Sequence, residues 1–146
     1  MTLVFFDMDD TLLAGDAEAA WAKYMAENGL MQDEGFAEKI RRFDEDYRRG
    51  DLDFSVYTEF LLSPIKGMTV QEVQDIVQPF CLTIVEEFKD STSQGLLDKH
   101  SSDECLITSG TLSFIVKEVA NLLGVETFFG TDPEVKEGCY TGRVSG

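Results

Sequence analysis

The chain has 146 residues, 43% of them hydrophobic, which suits one modest folded domain or a core with a small insertion and excludes a disordered chain. A net charge of -16 argues against nucleic acid as a partner, because a phosphate backbone rewards Lys and Arg; a small phosphorylated ligand stays open, since a bound divalent cation reverses the local field. Apolar stretches of about five residues fall far short of the roughly 20 that cross a bilayer, and Asp7 interrupts the first of them, so neither a membrane span nor a signal peptide is expected. Cys81, Cys105 and Cys139 are widely spaced, odd in number and form no CxxC; they read as reduced and mostly buried, as in a cytoplasmic protein. A cysteine nucleophile is disfavoured, because His100 is the one histidine available as its base.

Leu3-Val4-Phe5-Phe6 is a continuous apolar run ending at Asp7, which suits a strand buried on both faces of a parallel sheet. Helical periodicity follows for about ninety residues. Asp16 is an N-cap for a helix through Asn28, stopped by Gly29; Asp33–Arg49 forms a second helix ended by Gly50; Asp53–Leu62 forms a third. Thr69, with Glu72 three residues on, opens a fourth that passes Pro79 and continues through Phe88, and a short helix and a loop fill Ser91–Lys99. Cys105-Leu106-Ile107 is a second strand, ending in Thr108-Ser109-Gly110-Thr111. A helix with Leu112, Ile115, Val116, Val119, Leu122 and Leu123 on one side then runs to Gly124, and Val125–Gly130 is a third strand, completing a βαβ unit. Glu137-Gly138 between short runs predicts a hairpin. The helical stretch is too long for an ordinary crossover. The predicted organisation is α/β: residues 1–15 and 100–146 form a parallel-sheet core with a terminal hairpin, and residues 16–99 form an inserted helical cap.

The chemistry concentrates in Phe6-Asp7-Met8-Asp9-Asp10-Thr11-Leu12-Leu13, where the first strand ends. Sites in open α/β sheets lie at the carboxyl ends of strands. Residues two apart on extended backbone point the same way, so Asp7 and Asp9 would share one small volume. A hard cation such as Mg²⁺ relieves the repulsion and holds a phosphate. One carboxylate then attacks phosphorus in line, and the other protonates the leaving alcohol and later deprotonates water. Asp7 as nucleophile and Asp9 as acid/base meet these needs, with Thr11 holding Asp9. The bland alternative is a turn with helix-capping aspartates; an apolar strand, then DxDxT, then an apolar pair is far more specific than DxD alone.

Phe5-Phe6-Asp7-Met8-Asp9-Asp10-Thr11-Leu12-Leu13 resembles the first signature of the haloacid dehalogenase superfamily of phosphatases, and Leu106-Ile107-Thr108-Ser109-Gly110-Thr111 resembles the second. The helical stretch between them is similar to the superfamily's type 1 cap. The spacing onward to Ala120 and Leu123-Gly124, and the segment Val135–Ser145, resemble the phosphoserine-phosphatase-like branch. The resemblance implies a Rossmann-like core and a Mg²⁺-dependent phosphomonoester hydrolase acting on a small phosphorylated metabolite through an aspartyl-phosphate. It implies Asp7 as nucleophile, Asp9 as acid/base, and Mg²⁺ on the Asp7 carboxylate and the Asp9 carbonyl. Ser109 would bind the phosphoryl group, with Thr108 as the alternative and Gly110 beside them; the bland role for either hydroxyl is a helix N-cap, and both roles coexist at an anion-binding helix start. Asp16 falls where that branch places an acidic residue that reads a substrate amine, although capping a helix explains it equally well.

Two elements of the family pattern are missing: the Lys that stabilises the phosphoaspartate charge and the later acidic pair that completes the metal site. Lys117 reads as a helix-surface residue and Lys136 as a hairpin residue. Lys39, Arg41, Arg42, Arg48 and Arg49 read as a solvated face with i,i+4 pairs rather than a substrate-carboxylate site. The expected chain is therefore the N-terminal portion of a longer enzyme or a shortened relative. Its open sheet edge could be covered by another copy of itself. Competing expectations are a phosphotransferase of the same family and a catalytically incomplete phosphate- or metal-binding fragment.

Overall fold

A computed structural model describes residues 3–8, 12–13, 17–30, 35–88, 91–100 and 103–145. In chain order the elements are β1 (Leu3–Asp7), α1 (Ala17–Glu27), α2 (Phe36–Arg49), α3 (Phe54–Leu62), a 3₁₀ turn (Ser63–Ile65), α4 (Val70–Phe88), α5 (Ser91–Lys99), β2 (Glu104–Leu112), α6 (Ser113–Leu123), β3 (Thr127–Thr131), β4 (Pro133–Lys136) and β5 (Cys139–Val144). They divide into two compact units, Met1–Glu18 with Gln74–Asp132, and Ala19–Val73 with Pro133–Gly146.

The first unit is built on a parallel sheet in the order β1-β2-β3. The crossover β2-α6-β3 is the predicted βαβ unit. Its helix ends as expected on Gly124, which takes φ 76° and so needs no Cβ. Ile115, Val116, Val119 and Ala120 of α6 are buried, as are Phe6 and Ile107 of the sheet. Burial of aliphatic side chains of this size contributes roughly 1.5–3 kcal/mol each. Gly130 lies on the sheet face that meets α6. A Cβ there would stand 2.9 Å from Ser113 Cα and from the Thr111 carbonyl oxygen. The helix can approach the strand this closely only because the position is glycine.

The expectation that β1 is buried on both faces fails. Leu3 and Phe5 are 51% and 62% exposed, as is Phe129 of β3 at 59%. The register puts these three on one face of the sheet, on its two outer strands, where a neighbour is lacking on one side. β2 also runs past its predicted end, continuing through Thr108–Thr111 to Leu112.

In the second unit, the helices follow the sequence closely. Asp53 caps α3 by accepting the Ser55 and Val56 N–H groups, and Gly50 ends α2 at φ 78°. The Glu72 N–H donates to Thr69 Oγ1 at 3.1 Å, the predicted opening of α4, and α4 continues through Pro79 to Phe88. Arg41, Arg42, Arg48 and Arg49 pair with Glu38, Asp44 and Asp46 along exposed α2, the solvated face expected. The Arg41 guanidinium hydrogen-bonded to Glu38 holds that carboxyl below its ordinary range. The hairpin turns at Glu137 (φ 54°) and Gly138 (φ 80°), two left-handed residues whose twist matches the flanking strands.

The units draw their boundaries differently from the expected 1–15 with 100–146 and 16–99. Residues 74–99 fall with the sheet, and the hairpin falls with the helices. Hydrogen bonds explain the second change. Gly67 N–H donates to the Tyr140 carbonyl (2.8 Å), Tyr140 N–H to the Met68 carbonyl (2.9 Å) and Val70 N–H to the Gly138 carbonyl (3.2 Å). The segment entering α4 thus pairs with β5 on the side away from β4.

Two outcomes test this packing. Cys81 on α4 is buried, with its thiol against the Ile115 carbonyl, and burial pushes it up to about 12. The thiolate fraction at pH 8 is then about 10⁻⁴, so iodoacetamide should modify Cys81 only after denaturant unfolds the chain, as read by peptide mass mapping. Gly130→Ala should lower unfolding stability by about 1–3 kcal/mol in urea titration, the cost of forcing an extra carbon between β3 and α6.

Candidate active site

Parallel pairing of β1 with β2 sets Asp7 opposite Thr108, so the first acidic residue of the first motif and the start of Thr108-Ser109-Gly110 lie side by side at the carboxyl edge of the sheet. Asp7 is exposed there. The next described residue, Met8, is fully buried, and its carbonyl accepts the N–H groups of both Leu12 (3.1 Å) and Leu13 (3.0 Å), themselves buried. The apolar positions of the motif thus anchor both sides of its acidic centre. Asp9, Asp10, Thr11 and Asp16 lie outside the described residues.

On β2 the register against β3 shifts after Thr108, which pairs with Phe129, and resumes at Leu112, which pairs with Thr131. Three residues of β2, Ser109 to Thr111, oppose the single residue Gly130. Such bulges re-aim side chains next to active sites. Within this one, the Thr111 N–H donates to Ser109 Oγ at 3.1 Å, and Thr131 Oγ1 donates to the Gly110 carbonyl at 2.8 Å. Thr111 is buried, Ser109 is half-buried, and Gly110 is exposed with open space where a Cβ would stand. Neither Thr108 nor Ser109 caps the following helix. α6 starts at Ser113 with Leu112 at its N-cap, because the bulge carries the chain four residues beyond Thr108 before helical geometry begins.

Lys117 lies exposed on α6, and Lys136 lies in the hairpin, 3.7 Å from Glu134, as their sequence contexts implied. No group of three His, Cys, Asp or Glu side chains that could hold a metal occurs among the described residues; Asp7 is the carboxylate that β1 brings to this edge. At the opposite end of the same sheet is a cavity of about 420 Å³ lined by Gln94, Asp98, His100, Asp103, Cys105 and Glu126, among others; none of the candidate residues lines it. There His100 Nδ1 is 2.8 Å from Asp103 Oδ2, and burial, with the Asp103 charge second, raises the Cys105 thiol. A raised thiol is a poor nucleophile, in line with the reading of the cysteines. Thr131 and Gly130 were missed by sequence reasoning, because nothing local ties them to residues twenty positions earlier.

Comparison with known proteins follows this geometry. The chain is 29% identical to a histidinol-phosphatase of Neisseria meningitidis serogroup C, over 99% of this chain and 66% of that protein. It is 26% identical to a phosphoserine phosphatase of Archaeoglobus fulgidus, over 99% of this chain and 38% of that protein. It thus spans less than two thirds of the length of these curated relatives. A crystal structure of a protein of unknown function from Bordetella pertussis Tohama I superimposes with a TM-score of 0.88 at 27% identity, covering all of this chain and 67% of that one. Residues 4–146 match the sequence pattern of the haloacid dehalogenase-like hydrolases, a stretch that includes both edge motifs, and the chain belongs to that family.

Proposed function

We propose that this chain carries the nucleophile and phosphate-binding half of a Mg²⁺-dependent phosphatase that hydrolyses small phosphorylated metabolites through an aspartyl-phosphate. The observation that supports it is the pairing of Asp7 with Thr108, which brings the first acidic residue of one motif beside the Ser109-Gly110 turn of the other. A Mg²⁺ ion needs as few as one or two carboxylates beside water and a substrate phosphate. Asp7 supplies one, and Asp9, with its carbonyl, is our second ligand. When bound, the ion neutralises phosphate charge and orients the ester for in-line displacement.

In this reading an Asp7 carboxylate oxygen attacks phosphorus as the ester P–O bond breaks, and Asp9 gives its proton to the departing alcohol. Asp9 then removes a proton from water as that water attacks the phosphorus of the phospho-Asp7, releasing phosphate and restoring both carboxyl groups. Ser109, with Thr108 and the Gly110 backbone, holds the phosphoryl oxygens, and Thr11 holds Asp9. The family relatives named for histidinol phosphate and phosphoserine share a substrate pattern, a primary alkyl phosphate with an amine on the neighbouring carbon. Esters of that pattern are the first to assay, and Asp16 is our candidate for meeting the amine. Reduced cysteines in a cytoplasmic setting complete the reading; all three are free, and no described helix is long and apolar enough to cross a membrane.

Hydrolysis of a chromogenic phosphomonoester, with and without Mg²⁺, should show activity that needs the metal and disappears in Asp7→Asn. Persistence of turnover in folded Asp7→Asn would rule the mechanism out. Ser109→Ala should lower kcat by about 10²–10³, the usual loss when a donor to transition-state charge is removed.

A further inference from the structure

We propose that Thr131, at the end of β3, is a positioning residue that orients the Ser109 hydroxyl toward a bound phosphoryl group, and that Gly130 makes this arrangement possible. The proposal rests on reading Thr108–Gly110 as the phosphate ligands. The Gly110–Thr111 peptide is a planar unit whose carbonyl and N–H point in opposite directions. Here both of its ends are engaged. Thr131 Oγ1 donates to the Gly110 carbonyl at 2.8 Å, and the Thr111 N–H donates to Ser109 Oγ at 3.1 Å. Fixing the carbonyl therefore fixes the N–H, and the N–H occupies one acceptor position of the Ser109 oxygen. The hydroxyl hydrogen of Ser109 is left to point elsewhere, as a donor to an anion.

Gly110 has no side chain, and nothing lies within 4 Å of where its Cβ would stand, so no side chain at this position helps to hold the peptide plane. Two further features bring β3 within reach of it. Three residues of β2 oppose one of β3, and that one is Gly130, where a Cβ would fall 2.9 Å from the Thr111 carbonyl oxygen. Any other residue at 130 pushes the turn away from Thr131. Thr131 touches no reacting atom in this scheme; it acts through one peptide plane.

Thr131→Val keeps the shape and removes the donor; Thr131→Ser keeps the donor and removes a methyl. Inorganic phosphate would be titrated into the full chain with Mg²⁺ present, following the backbone amide resonances of residues 108–111, with urea unfolding measured in parallel. Thr131→Val should weaken phosphate binding about fivefold, the value of one net hydrogen bond, and speed hydrogen exchange of the Thr111 amide. Thr131→Ser should stay close to wild type in both. Binding by Thr131→Val equal to wild type overturns the proposal, as does an equal loss in both variants, because Thr131→Ser keeps the donor and should then have kept the binding. A wild-type chain that binds no phosphate overturns the reading of the Ser109 turn itself, and the positioning role falls with it, a result distinct from a difference between variants.

Discussion

The pairing of β1 with β2 is the constraint on which the rest of the arrangement depends. The two strands are separated by the whole helical stretch from α1 to α5, yet they run parallel and in register from Leu3 opposite Glu104 to Asp7 opposite Thr108. Closing a loop of that length is entropically tolerable, since the cost grows only with the logarithm of its length. It must be offset by burial, and the central residues supply it. Phe6 and Ile107 sit opposite each other and are buried, next to an α6 whose inner face is closed by Ile115, Val116 and Val119. A one-residue slip would exchange these side chains with Phe5 and Leu106 and turn the sheet's apolar set over. The same slip would separate Asp7 from Thr108. Fold and candidate site therefore depend on one register.

The second constraint is local and unusual. A strand that ended where its apolar run ends would leave Thr108 and Ser109 to cap α6 directly. Instead β2 carries two surplus residues through a bulge, and α6 begins only at Ser113. The bulge gives the Ser109–Thr111 turn its own hydrogen bonds, to its own side chain and to β3, so that it does not depend on helix capping for its shape.

The second unit shows how a module assembles from distant pieces. Gly67 to Val70 and β5 lie some seventy positions apart, but their backbone groups complete each other, with Tyr140 buried at the join. α3 and the 3₁₀ turn lie against the same strand. A two-stranded hairpin alone is marginal in water; a third backbone segment and a helix supply what it lacks.

Much of this was legible in the residues. Asp53, Thr69, Gly50, Gly124 and Glu137-Gly138 act through their own backbone and near neighbours, and helix starts, helix stops and the hairpin appeared where those residues placed them. The DxDxT run and its apolar flanks pointed to the family, because that combination is far more specific than two carboxylates alone, and the match over residues 4–146 agrees with it. What the sequence alone could not decide was everything set by contact between remote segments. The exposure of Leu3 and Phe5 depends on which strands stand at the sheet's edges. The extension of β2 depends on pairing with Thr131, and the allegiance of the hairpin on hydrogen bonds to Met68 and its neighbours. Propensity and periodicity describe a residue and its few neighbours; register, edges and close approach such as that at Gly130 are properties of strands and helices brought together, and only the tertiary structure contains them.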